Sequence, residues 1–265
     1  MIRAETEDSW ILITHPDHAR LAGKFADAWG NDYFAAPEEF NSVRYAVYHH
    51  DDGWIQRDAN PELTPAGKPE AFTRALVGAY SAFEEIDLPS YLEVRAKATS
   101  AVAEQDPIAG IIVSMHTVNL LTEQADLSTL RPEHRLPHAD FVKAQQDWQS
   151  SERTRLALDQ AVLQRGFEFL QACDNLSLVA CAGYDQPLTL RHQHPDREGQ
   201  RHALKCTPTG ETSFTITPWP FRNVEAEFTL PIKRIPKGAC TDLAGYREAY
   251  AAAETETKTL RLAAD

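Results

Sequence analysis

The chain lacks any uninterrupted apolar run long enough to span a membrane, and its start, Met1-Ile2-Arg3-Ala4-Glu5, lacks the apolar core of an export signal. A cytoplasmic protein is the expectation. Cysteine is scarce, with Cys173, Cys181, Cys206 and Cys240 the only four and no paired spacing of a metal finger among them. They read as reduced, packed thiols. No glycine-rich run forms a phosphate-cradling loop or a dinucleotide fingerprint, and no serine sits in a Gly-x-Ser-x-Gly elbow. Internal repeats and low-complexity tails are missing too, which sets aside solenoid architectures. Positive charge is short: 26 Lys and Arg against 39 Asp and Glu give a formal net charge of −13. That balance disfavours nucleic acid and anionic membranes as partners, while a small anionic ligand in a locally positive metal pocket stays compatible with it.

At 265 residues and 43% hydrophobic content, the chain can bury one full core and carry an elaboration. Alternation predicts a short hairpin, Ile2 to Glu5 and Trp10 to Thr14, before His15-Pro16-Asp17 opens a helix. A second helix is expected from near Pro37 to His50, stopped by Gly53, followed by a rim loop from Trp54 to Pro69. Helical periodicity resumes over Glu70 to Glu84, Tyr91 to Ala103 and Pro107 to Leu121. After a loop from Arg131 to His138 comes one long helical stretch, Ala139 to Ala182, broken or bent near Gly166. Beyond Gly183 the pattern changes to strands, at Leu188 to Arg191, His202 to Cys206, Thr212 to Thr217, Val224 to Ile235 and Thr257 to Leu262. His192, His194 and His202 read as a solvated loop, and Trp219-Pro220-Phe221 as aromatic packing of a small sheet. The expected organisation is therefore a helical domain over 1–183 and a β-rich elaboration over 184–265 packed against it, where the alternation of Thr257 to Leu262 allows a strand to join the first hairpin and the sheet edges offer a place for a homodimer to form.

Within the helical part, polar residues stand where apolar stripes should face the core. His18 shares a face with Leu21, Ala22 and Phe25; His50 closes the face of Val43, Ala46 and Val47. His116 aligns with Ala109, Ile112 and Val113, and Asp174 with Phe167, Leu170, Leu178 and Cys181. A lone inward histidine is most often a hydrogen-bonded core residue. Three of them with Asp51 and Asp174 would be costly to bury apart, and a shared metal ion compensates for the desolvation. Neutral imidazoles and carboxylates are ligands for manganese, iron, zinc or nickel, with magnesium the oxygen-preferring alternative.

The doublet His50-Asp51 within Ala46-Val47-Tyr48-His49-His50-Asp51-Asp52-Gly53 resembles that of the HD-domain metallohydrolases. In that superfamily an early helix brings a histidine, as in His18-Ala19-Arg20-Leu21-Ala22, and a late helix an aspartate, as in Ala172-Cys173-Asp174-Asn175-Leu176. The resemblance implies a mainly α fold with an HD-like helical core, metal ligands at His18, His50, Asp51 and Asp174, and His116 as an added histidine. The chain as a whole is similar to the bacterial family DUF3891 through Leu12-Ile13-Thr14-His15-Pro16-Asp17-His18-Ala19-Arg20-Leu21-Ala22, His50-Asp51-Asp52-Gly53-Trp54, Ser114-Met115-His116 and Cys173-Asp174-Asn175-Leu176-Ser177-Leu178.

The chemistry that the HD resemblance implies is metal-dependent hydrolysis of a phosphoester in a small phosphorylated molecule, a metal-bound water serving as nucleophile; the metal ligands by themselves also permit amide hydrolysis, deamination or oxidation. His116 either completes the shell or binds a second ion. Asp52 is placed as a proton acceptor or as a partner to the ligands, and Lys24, Arg153 and Arg155 as phosphate contacts, each with plain surface charge as its other reading. The other reading is a metal- or ligand-binding regulatory protein without turnover.

Overall fold

All five residues of Ser9–Ile13 are buried, so the second strand of the hairpin has no solvent face. A half-exposed hairpin edge cannot do this; the strand must lie inside a larger sheet. The computed structural model describes residues 1–73, 76, 81–83 and 87–265. In chain order it runs β1 (Ile2–Glu5), β2 (Ser9–Ile13), α1 (His15–Ala28), α2 (Phe40–His49), α3 (Ile55–Ala59), β3 (Phe72–Thr73) and β4 (Ser81–Ala82). The central helices are α4 (Leu88–Gln105), α5 (Pro107–Leu121), α6 (Arg135–Arg155) and α7 (Gln160–Cys181), with β5 (Ala125–Asp126) between α5 and α6. The remainder is β6 (Leu188–Pro195), β7 (Arg201–Gly210), β8 (Ser213–Thr217), β9 (Glu225–Pro236), α8 (Leu243–Ala252) and β10 (Thr255–Ala264).

Eight strands form one mixed sheet in the order β3-β1-β2-β9-β10-β8-β7-β6, with β1/β3 and β10/β8 parallel. This overturns the expected mainly α fold, an HD-like helical core with a short hairpin. The hairpin is an interior part of the sheet, because β2 pairs antiparallel with β9 from Ser9↔Pro236 to Leu12↔Lys233. On one face Ile11 and Ile13 join the core beneath α1 and α7, together with Phe228, Leu230 and Leu260 from the late strands. On the other, Trp10 and Leu12 meet Ile235 and the fully buried Tyr246 of α8. The sequence reading had no helix there; α8 is short, and its signal is Asp242, whose side chain accepts from the Gly245 N–H.

Helices α1 and α7 lie against the first face and against each other, and α2 and α5 pack on them, α2 on α1 and α7, and α5 on α2 and α7. Thr14 caps α1 by accepting from the Asp17 N–H, Asp106 caps α5 and Asp159 caps α7, so the three starting points are fixed locally. The predicted helical stretch over 139–182 is broken into two helices, but not near Gly166. Helix α6 ends at Arg155, and Ala157 takes a left-handed conformation (φ 54°) before Asp159 restarts the chain as α7. Gly166 does not bend α7; it is where α7 crosses close to its neighbours, and a Cβ there would come within 2.9 Å of Ile112 and 3.0 Å of Val43. Of the predicted helix Glu70–Glu84, Phe72–Thr73 and Ser81–Ala82 are strands, while 74, 75, 77–80 and 84 lie outside the described residues. The expected rim loop contains α3, and His138 lies inside α6. Among the described residues, no helix is long and apolar enough to cross a membrane.

The expected solvated histidine loop is also corrected: His192 and His194 are on β6 and His202 on β7. His194 is buried against Trp29 and Phe169, with ring centroids 5.1 and 6.2 Å away. Burial pushes its imidazole down to about 3. An unfolded histidine titrates near ~6.5, so the folded state resists a proton that the unfolded state accepts. Stability from this residue is complete above that value and drains as pH falls toward the folded one. Between neutral pH and about pH 5 the loss amounts to roughly 2 kcal/mol. His194→Phe is expected to flatten that part of the pH dependence, read from urea midpoints at the two pH values; equal losses in wild type and variant would contradict it.

Candidate metal centre

His18 sits one turn into α1, His50 and Asp51 where α2 ends, His116 in the middle of α5 and Asp174 in α7. The four helices bring these five side chains together, each no more than 5% exposed. His18 Nε2 lies 3.0 Å from Asp51 Oδ2 and 3.8 Å from Asp174 Oδ1. His50 Nε2 lies 3.4 Å from Asp174 Oδ1 and 3.8 Å from Asp51 Oδ2. The His50 ring is edge-on to those of His18 and His116, with 5.2 Å between centroids in both cases.

The proton positions follow from the outer partners. Ser177 Oγ donates to the Asp174 carbonyl (2.8 Å), so it accepts from His18 Nδ1 at 2.7 Å. His50 Nδ1 donates to the Val47 carbonyl at 2.8 Å. Gln171 donates through Nε2 to Asn119 Oδ1 (2.8 Å), which turns its Oε1 toward His116 Nδ1 at 2.5 Å. Each neutral ring thus has its single hydrogen on Nδ1 and a lone pair on Nε2. With all three rings neutral, three lone pairs and two carboxylates converge without a hydrogen between them, and His50 Nε2 is buried with no hydrogen-bond partner. A cation is the group such a set of donors fits.

Arg95 of α4 completes the electrostatics. Its Nη1 is 2.6 Å from Asp51 Oδ1, its Nε donates to the Tyr91 hydroxyl at 3.2 Å, and the guanidinium lies over the Trp54 and Tyr91 rings. Burial opposes ionisation of Asp51, yet Arg95, His50 and His18 outweigh it and hold the carboxyl well below its usual range. Asp174 is likewise lowered against its burial by His50, His116 and His18. Burial lowers His116 to about 4, and it lowers His50 too, but there Asp51 and Asp174 reverse the sign and raise it. The doublet turn itself is clamped, because a Cβ on Gly53 would stand 2.6 Å from the Val94 carbonyl of α4.

The remaining sequence-predicted residues lie elsewhere. Asp52 pairs with Arg20 (2.7 Å) and His49 (2.6 Å) instead of joining the cluster. Lys24 donates to the Thr229 carbonyl of β9, and Arg155 pairs with Glu152. Arg153 lines a surface cavity of about 190 Å³ between α5, α6 and α7, with Gln146, Gln149 and Gln160. None of the three bonds to the five clustered side chains. Sequence reasoning missed Arg95, Gln171 and Ser177, although each left a signal. Arg95 stands in the buried stripe Leu88, Leu92, Thr99, Val102 of α4, and Gln171 and Ser177 flank Asp174 at three-residue spacing on α7.

The family described as "Protein of unknown function (DUF3891)" matches residues 1–237. The chain belongs to it. All five clustered residues fall inside the matched span, as do Arg95, Gln171 and Ser177, so the DUF3891 region contains the whole cluster with its hydrogen-bond partners. Strand β10 and helix α8 lie beyond it. No curated protein and no solved structure matches this chain.

Proposed function

We propose that this DUF3891 protein is a metal-dependent hydrolase acting on a small phosphorylated molecule. The observation that carries the reading is the set of three imidazoles whose Nδ1 hydrogens are already committed, all presenting Nε2 toward Asp51 and Asp174. His18, His50, His116, Asp51 and Asp174 would hold the ion. When bound, such an ion lowers the pKa of a bound water and polarises a phosphoryl oxygen. Arg95 keeps Asp51 ionised, and Ser177, the Val47 carbonyl and Gln171 fix the ring orientations. The order of donors, histidine, histidine-aspartate doublet, then aspartate, resembles that of the HD-domain metallohydrolases and supports phosphoester chemistry over amide hydrolysis or deamination. That likeness concerns donor order alone.

One feature favours the regulatory alternative: every donor is almost fully buried, as a metal that only orders the fold would be. Reconstitution with manganese, iron, zinc, nickel and magnesium, followed by phosphatase, phosphodiesterase and nucleotide-hydrolysis screens, separates the two. Turnover with at least one ion is expected. Stoichiometric metal without turnover on any substrate class would favour the regulatory role.

Gln171 offers a sharper check of the donor geometry. Gln171→Leu removes the acceptor of the His116 Nδ1 hydrogen in a fully buried position. Metal affinity is expected to drop about 10- to 100-fold, measured by competition with a chelator. An affinity within about twofold of wild type would remove His116 from the ligand set.

A further inference from the structure

We propose that the centre takes a single six-coordinate transition ion of the manganese or iron class, and that Arg95 is the positioning residue that keeps it to one. This rests on the metal-centre reading above. The donors form two overlapping groups, each with its ligand atoms within 4.8 Å of one another: His18, His50 and Asp174 in one, and His50, Asp51 and His116 in the other. They share His50, whose Nδ1 is spent on the Val47 carbonyl. One remaining nitrogen cannot serve two ions, so the two groups are halves of one shell.

A second ion would ordinarily be held by a carboxylate bridging through both oxygens. Asp51 is denied that role: Oδ1 is bound by Arg95 at 2.6 Å, and only Oδ2 faces the imidazoles. Charge points the same way. Two carboxylates and one guanidinium leave the buried cluster with one net negative charge, which one divalent ion turns into a single positive charge. A second divalent ion would leave three positive charges on side chains that are nearly all out of water. Among the described residues, no further histidine, cysteine or carboxylate joins either group.

The donor count selects the class of metal. His18, His50 and His116 through Nε2, with Asp51 and Asp174 through one oxygen each, make five ligands. Structural zinc is satisfied by four, and magnesium prefers oxygen and water to three imidazoles. A mixed nitrogen and oxygen set of five, leaving one open position of an octahedron, suits manganese or iron.

The test is a titration of the metal-free full-length protein with Mn2+, read by elemental analysis and by electron paramagnetic resonance. One Mn2+ per chain with an uncoupled six-line spectrum, unchanged by excess metal, is expected. Arg95→Gln frees Asp51 Oδ1 and removes the repelling charge, so a second, weaker Mn2+ and an exchange-broadened spectrum should appear; a variant that stays at one ion overturns the role of Arg95. Two spin-coupled ions in the wild type overturn single occupancy while leaving the metal centre standing. Binding of neither Mn2+, Fe2+ nor Zn2+ removes the centre itself. The wild-type titration decides the count whether or not the variant folds.

Discussion

Asp51→Ala is expected to lower metal affinity by at least about 100-fold, since it deletes a donor rather than one of the outer partners whose loss costs 10- to 100-fold. It also strands Arg95, which is 6% exposed and has Asp51 as its carboxylate partner. Breaking a buried ion pair from one side costs about 3–5 kcal/mol, so the metal-free variant should melt well below the metal-free wild type. His50→Ala should match the loss of metal but not the loss of stability in full, because it leaves the Arg95–Asp51 pair intact. His49→Ala is the control: His49 is half-buried, tied to Asp52 and tilted against Tyr45, and its removal should leave metal content near wild type. Metal-to-protein ratio, turnover and melting temperature measured on the same preparations give the answer. Unchanged metal content in both Asp51→Ala and His50→Ala would sink the proposed centre.

Phe25→Ala is expected to cost about 3–5 kcal/mol, in the range of buried phenylalanine truncations. Phe25 is fully buried and joins α1 to the sheet through Phe228 (4.7 Å, edge-on) and Phe221 (5.8 Å). It stands two turns from His18 on the same face, so the residue that anchors the helix to the sheet also sets how a donor is presented. Because bound metal stabilises the folded state by mass action, the loss should be measured by urea unfolding of the metal-free protein. A loss below about 1 kcal/mol would mean that the helix–sheet contact contributes little.

The cluster was legible because helical phase alone places His18, His50, His116 and Asp174 inward, and α5 was delimited in the sequence by Pro107 and Leu121 as it is in the structure. The sheet was not, although the strands themselves were mostly found. What pattern could not supply was pairing: the alternation of Glu225–Pro236 marks a strand with one buried face but carries no sign that its neighbour is Ser9–Ile13. A five-residue run buried on both faces looks like a hairpin arm until its partner is known. The break at Ala157 escaped for a different reason, since alanine favours helix and only the surrounding structure holds it at positive φ. Arg95 was overlooked because a charged residue in an amphipathic helix reads as solvent-facing unless its phase is checked against Leu92 and Thr99.

The pairing of β2 with β9 also sets the order of events during biosynthesis. Strand β2 leads directly into α1, and its neighbour β9 is synthesised only after every helix that carries one of the five clustered side chains. Contacts so distant along the chain are slow to form, and the entropy of closing that loop is lost before any of them can compensate. The nascent chain therefore presents its histidines and aspartates early but the rigid frame that spaces them late. On the proposed reading, metal capture in the correct geometry would follow synthesis, and a chain stalled before Glu225 would expose an unframed cluster to chaperones.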